Sequence, residues 1–351
     1  MTVTARPAGA IDRMSTGKHR MLGLSLTRIG MGLALLSTYL TNFKTRYLIW
    51  GPDAVWSYDD FAARTRHGGP LSLYAVSDSR AWFNMVFFAG ILVTAVWTVY
   101  GGRPLTVACA VFLWSLDARD YATLDGGDNL AQILIIFMCF TTTNYWLSPW
   151  SGRVRRREAL RNRRTTLGNS LHNCATSVIA VQTAVVYLVS GLWKVSGQHW
   201  RDGSALYYVS HVHEYSHATL FPWVMGHMWV SLAASYLTIA AQLLAIPALF
   251  SSRPWFRKLV FSVIALMHVG IMFGMGLFAF ALIMLAADAT ILKDSDYRMM
   301  RAWFNRHVVS RLTAVRWWPG HSTGIGAEPV PGIPARRSAP RDETAQRFPA
   351  G

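Results

Sequence analysis

The sequence predicts an all-α fold, a polytopic transmembrane helical bundle of about eight spans. Three observations predict it. Only 15% of the 351 residues are charged and 52% are hydrophobic, whereas an ordinary soluble domain carries about a quarter charged residues. The charges fall in short clusters. Between the clusters lie uncharged runs long enough to cross ~30 Å of hydrocarbon, which takes about 20 helical residues. Lipid offers no partner for a free backbone N–H or C=O, so such runs must be helices.

The first run covers residues 21–40 and contains Arg28. Residues 41–80 are rich in Trp, Tyr, Asp and Gly, too charged to span and too aromatic for a slack linker. The second run is 81–100, and a Gly-Gly-Arg-Pro turn at 101–104 separates it from a short third run, 105 to about 116. The fourth is 129–147. A basic loop with seven arginines between Arg153 and Arg164 follows, then a fifth run from about 171 to 195. Polar residues 196–222 hold most of the loop histidines, and the sixth run is 223–250. Residues 259–292 are apolar throughout, too long for one span without strong tilt. Gly270, Gly274 and Gly276 lie near the middle, which predicts two spans turning close to Met275.

Three segments result: a cytoplasmic N-terminal stretch (1–20), a transmembrane domain (21–292), and a basic cytoplasmic tail (293–351). The tail's Pro-, Arg- and Gly-rich composition predicts disorder from about residue 320. The first apolar run lacks a small-residue cleavage site after it and reads as a retained span. Placing both termini in the cytoplasm of a multi-pass plasma-membrane protein puts the 101–104 turn, the seven-arginine loop, the Arg253, Arg257 and Lys258 turn and the tail inside, as basic loops prefer. The 41–80 loop, with five Lys/Arg, runs against that trend. One helix at 259–292 would put the tail outside, so charge favours eight spans over seven.

The net charge is +16 and the isoelectric point near 10.3. In a soluble protein that excess would point to nucleic acid. Here the basic residues flank apolar runs, where anionic lipid accounts for them; the expected partner is the lipid bilayer, with no nucleic acid. Cys109, Cys139 and Cys174 lie in or at the edge of runs, which excludes a secreted disulfide framework and predicts buried thiols.

Ionisable groups in or beside hydrocarbon are costly and tend to be functional. Asp128 opens the fourth run, Lys194 closes the fifth and His268 lies in the seventh; the topology puts all three on the extracytoplasmic side. Burial disfavours an ammonium, so a partly desolvated lysine can act as a general base near neutral pH. An interfacial anchor beside Trp193 and Trp200 is the reading of Lys194 that its residues alone favour. Arg28 can snorkel or pair with an acid on a neighbouring helix, and the ion pair is the preferred expectation. Asp125 and Asp128 flank two glycines, where Asp128 can cap the next helix or join a site. His268 serves as a packing residue or a catalyst.

His213-Glu214-Tyr215-Ser216-His217 fits H-E-x-x-H, which on a helix presents two histidines to one zinc beside a glutamate base. His211 is close by, and Leu124-Asp125-Gly126 has the form of a ligand aspartate motif. That motif precedes H-E-x-x-H here, the reverse of intramembrane metalloproteases, and no third ligand stands at the usual spacing. The expected metal is none, with His213, Glu214 and His217 the alternative.

LTRIGMGLALL in the first run, DGGDN before the fourth, YLVSGLWKVSGQHWRDGSALYY at the fifth and HVGIMFGMGLFAFALIML at the end occur in a familiar order. Over roughly residues 20–292 the chain resembles the HTTM (horizontally transferred transmembrane domain) family, in one superfamily with the vitamin K-dependent γ-carboxylases. The GRP turn followed by DGGDN, and W-x-x-G-x-A-L-Y-Y from Trp200, are most similar to the sporulation-delaying protein B branch, whose members assist maturation of a secreted peptide toxin.

The resemblance implies a factor that modifies or matures an exported peptide at an extracytoplasmic site. Its implied partners are a small secreted precursor and a companion maturation protein. Gly191-Leu192-Trp193-Lys194 matches the carboxylase G-x-x-K motif, which implies that Lys194 is the base linked to oxidation of a reduced quinone. His268 is similar to the late-span HTTM histidine. The likeness does not extend to the large lumenal domain with which the carboxylases grip a propeptide. A non-catalytic membrane partner or immunity protein is the alternative.

Overall fold

The structure is a computed structural model that describes residues 15, 17–161, 167–215 and 220–309. Among the described residues every regular element is helical. In chain order these are α1 (Met21–Thr41), α2 (Arg46–Ile49), α3 (Tyr58–Arg66), α4 (Arg80–Tyr100), α5 (Arg103–Arg119), α6 (Gly126–Met138), α7 (Ser151–Arg161) and α8 (Leu167–Ser196). There follow α9 (Gln198–Arg201), α10 (Ala205–Ser210), α11 (Leu220–Met225), α12 (Met228–Leu243), α13 (Ala245–Phe250), α14 (Pro254–Gly274), α15 (Phe278–Asp288) and α16 (Asp294–Phe304). Met1–Ala302 forms one compact unit; in a second, Trp303–Gly351, the described residues end α16 and add a π-helical turn, Asn305–Val309. The tail from 310 lies outside the described residues.

Each of the eight apolar runs contains helix. Four helices, α1, α4, α8 and α14, are long and apolar enough to cross a membrane. At 1.5 Å rise per residue, the apolar helices α6, α12 and α15, with 13, 16 and 11 residues, are shorter than the hydrocarbon is thick. The long terminal run divides as expected, with α14 ending at Gly274, a turn through Met275–Leu277 and Gly276 at φ 72°, where a side chain would be strained.

Three boundaries differ from the sequence reading. The fourth run starts at Gly126 and stops at Met138, because the backbone donors beyond find tertiary partners instead of helical ones. Thr142 N–H reaches His172 Nδ1 (3.0 Å) and Trp146 N–H reaches Ser25 Oγ (3.2 Å). The sixth run is three helices, not one. Pro247 has no N–H and its ring crowds the carbonyl four residues back, at Leu243, where α12 ends. The third run continues to Arg119, whose buried guanidinium donates to Gly51 O (2.9 Å) and Trp56 O (3.0 Å). Part of the seven-arginine loop is helix α7.

Arg119 thereby ties down the 41–80 segment. That segment builds its own core: Trp50, Phe61 and Tyr74 pack with Tyr39, Phe83, Phe87 and Leu116. The main core is formed by the apolar faces of α1, α4–α6, α8 and α12–α15. Its tightest seam joins α1 to α15. A Cβ on Gly23 would collide with the Ala289 carbonyl, and one on Gly30 would lie 2.6 Å from Ala286 Cβ. Thr27 Oγ1 donates across the seam to Ala286 O (2.7 Å). Small residues that let two backbones approach are how helices associate where burial from water provides no drive. The three free cysteines are not equally placed: Cys109 is buried, Cys139 half-buried and Cys174 exposed on the outside of α8.

Candidate functional site

A cavity of about 860 Å³ opens where α8 and α14 finish and α6 and α15 begin; Lys194, His268, Tyr187, Ser190, Trp200 and Gln242 line it. Most of the remaining wall is apolar, including Phe221, Phe273 and Phe280. The volume is that of a small-molecule pocket, and a few polar groups in an apolar wall is the usual composition of one.

Lys194 sits in the last turn of α8. Its Nζ donates to Ser190 Oγ (2.7 Å), one helical turn back, and lies 5.0 Å from the centroid of the Trp200 ring. Trp200 reaches this position because the chain turns at Gly197 and restarts as α9. No carboxylate is within ion-pair distance of Lys194 among the described residues. Gly191 brings α8 against α12: a Cβ there would stand 3.0 Å from Leu243 Cδ2.

His268 is almost fully buried on α14. Its Nδ1–H donates to Ile264 O (3.0 Å), which leaves Nε2 as the acceptor nitrogen. The ring stands 5.8 Å from Tyr187 and 6.0 Å from Phe280, centroid to centroid. Behind it, Tyr187 OH donates to Asp288 Oδ1 (2.8 Å), while Asp288 Oδ2 has no hydrogen-bond partner. Gln242 Oε1 is likewise buried without one. Buried polar atoms without partners are costly and uncommon, so the packing behind the wall leaves hydrogen-bonding capacity that the described residues do not use.

The structure thus brings Lys194, His268 and Trp200 to one cavity and leaves Asp128 out of its lining. Asp125, not Asp128, is the N-cap of α6; its carboxylate accepts from Gly127 N (2.6 Å) and Asp128 N (3.0 Å), and Asp128 Oδ2 accepts from Asp125 N (3.1 Å). That reciprocal capping box accounts for both acids. Arg28 is fully buried but has no acid paired with it among the described residues: Nη2 donates to Leu147 O, and Nε and Nη1 have no partner among them. The expected ion pair is replaced by a backbone carbonyl. Gly101 (φ 63°) is obligatory there, since a Cβ would collide with the guanidinium.

The chain matches no protein-family profile. It is 25% identical over 219 residues, 61% of this chain and 69% of the relative, to an uncharacterized protein, YitO, of Bacillus subtilis (strain 168). No solved structure matches it.

Of the H-E-x-x-H motif, His213 and Glu214 are exposed on a single 3-10 turn, His213–Tyr215, and His217 lies outside the described residues. No group of three metal-ligating side chains occurs among the described residues. Sequence reasoning missed Tyr187, Ser190, Gln242 and Asp288. Asp288 had a readable signal: it is the one acid within the apolar run 259–292, and an acid inside such a run is a site candidate by its cost alone.

Proposed function

We propose that this chain is a multi-pass plasma-membrane protein of the HTTM type that modifies or matures an exported peptide at the Lys194–His268 cavity. The reading takes all eight apolar helices as spans with both termini cytoplasmic, so that the cavity faces the extracytoplasmic side. The observation that carries it is the meeting of Lys194 and His268, 74 positions apart in the sequence, on one largely apolar cavity wall. An ammonium hydrogen-bonded to one hydroxyl and facing an open cavity has protons to give up or lone pairs to offer once deprotonated. An imidazole with Nε2 uncommitted can take such a proton.

The cavity also suits a reduced quinone. Its apolar wall matches a ring with a hydrocarbon tail, and Lys194, His268 and Ser190 supply polar contacts at one side. When bound, that group would supply an oxidisable ring. Lys194 would then hold or move a proton at Nζ, and Trp200 would shield it from water.

The test is co-expression with candidate small secreted precursors, reading the mass and processing of the secreted peptide. Lys194→Ala and Lys194→Arg should both abolish maturation with unchanged protein level in the membrane. Full maturation by Lys194→Ala would eliminate the assignment. Tolerance at both Lys194 and His268 would favour a non-catalytic partner or immunity protein instead.

A further inference from the structure

At the opposite end of the unit, two adjoining cavities of about 570 and 730 Å³ share Lys18, Asp294 and Arg298 in their walls. The first is polar, completed by Arg20, Ser177 and Lys293. The second adds Met21, Leu22, Tyr145, Trp146 and Tyr297, a mostly aromatic and apolar wall.

The carboxylates here are already committed. Asp294 accepts from Leu22 N (3.1 Å) and Met21 N (3.3 Å), holding the first turn of α1. Asp296 is fully buried in a bidentate pair with Arg257 (2.8–3.0 Å) and also accepts from Lys293 N (2.9 Å). Glu158 pairs with Lys18 (2.7 Å). Arg20 Nη1 is turned onto the carbonyls of Thr290 (2.5 Å) and Ile291 (3.3 Å). The Lys293 ammonium and Arg298 guanidinium are left with no hydrogen bond or ion pair among the described residues. Burial, then the like charges of Arg257 and Arg20, lowers the proton affinity of Lys293, and burial and Arg257 bring Arg20 down to about 10. An anion placed among them would reverse both effects.

The geometry points to a phosphate-binding site in the polar cavity, with Lys293 and Arg298 as its principal cations, Arg20 behind them and the Ser177 hydroxyl beside them. The adjoining aromatic cavity lies where the glycerol and upper acyl chain of a phospholipid would follow its headgroup. Basic pockets between helices at the membrane rim hold anionic headgroups in this way. The site is independent of the Lys194 cavity and of what that cavity does.

The test uses the full chain purified in a neutral detergent, with binding read by native mass spectrometry and by thermal shift. The three probes are phosphatidylglycerol, phosphatidylcholine and inorganic phosphate. The expected result is that phosphatidylglycerol binds about tenfold more tightly than phosphatidylcholine. Lys293→Gln with Arg298→Gln should remove that preference while leaving the melting temperature in lipid-free detergent unchanged, since neither side chain has a partner among the described residues. A shift with inorganic phosphate that the double variant loses would assign the site to free phosphate instead of a headgroup, and would equally support it. Equal binding of the two lipids with no effect of phosphate, or an undiminished preference in the double variant, overturns it.

Discussion

The two ends of the bundle handle charge in opposite ways. At the end where α1 begins and α15 stops, the acids are matched, Asp296 with Arg257, Glu158 with Lys18 and Asp294 with the α1 N-terminus, and the cations Lys293 and Arg298 are in surplus. At the end where α8 and α14 stop, Lys194 has a hydroxyl and a ring but no acid among the described residues. Matched charges hold helices in register. Unmatched ones facing a cavity are a cost that packing alone does not repay, and their persistence marks where a ligand would act.

That contrast can be broken by substitution, read as stability in mixed detergent micelles. The largest effect is expected at the paired end. Arg257→Ala or Asp296→Ala leaves one charge buried alone and should cost about 3–5 kcal/mol, while Arg257→Met with Asp296→Leu should recover most of it. If the single variants unfold at the wild-type midpoint, the pair is not holding that end together. Gly23→Leu forces α1 from the Ala289 carbonyl and should cost about 1–3 kcal/mol. Asp125→Ala removes one half of the capping box and should cost about 1 kcal/mol, with loss confined to the start of α6 in hydrogen exchange. Lys194→Met is expected to change stability least, by under about 1 kcal/mol, since it loses one hydroxyl bond and one ring contact. A loss as large as that of Arg257→Ala would make Lys194 a structural residue and erase the difference between the two ends.

Much of this was legible before the structure. The turn at Met275 was readable because three glycines interrupt an over-long apolar run. The break before Pro247 was not, because average hydropathy across 223–250 stays high while the missing N–H acts at one residue. The arginine-dense stretch read as a loop because its charges hide that residues 151–161 can still close helical hydrogen bonds. Lys194 and His268 could be brought to one end by counting crossings. Spacing alone could not distinguish an N-cap from the third residue of a helix, so Asp125 and Asp128 exchanged roles. Arg28 shows the same limit: a buried cation demands a partner, but a carbonyl from a distant turn leaves no trace in composition.

The glycine seam between α1 and α15 has a consequence for biogenesis. Its two sides are made far apart in time, since Thr27 and Ala286 are separated by 259 positions. At 5–20 residues per second that interval is on the order of tens of seconds. α1 therefore waits, without its partner for the glycine face, until α15 is delivered. α15 acts as the keystone. Nascent chains stalled before it should be the species that quality-control proteases and membrane chaperones recognise.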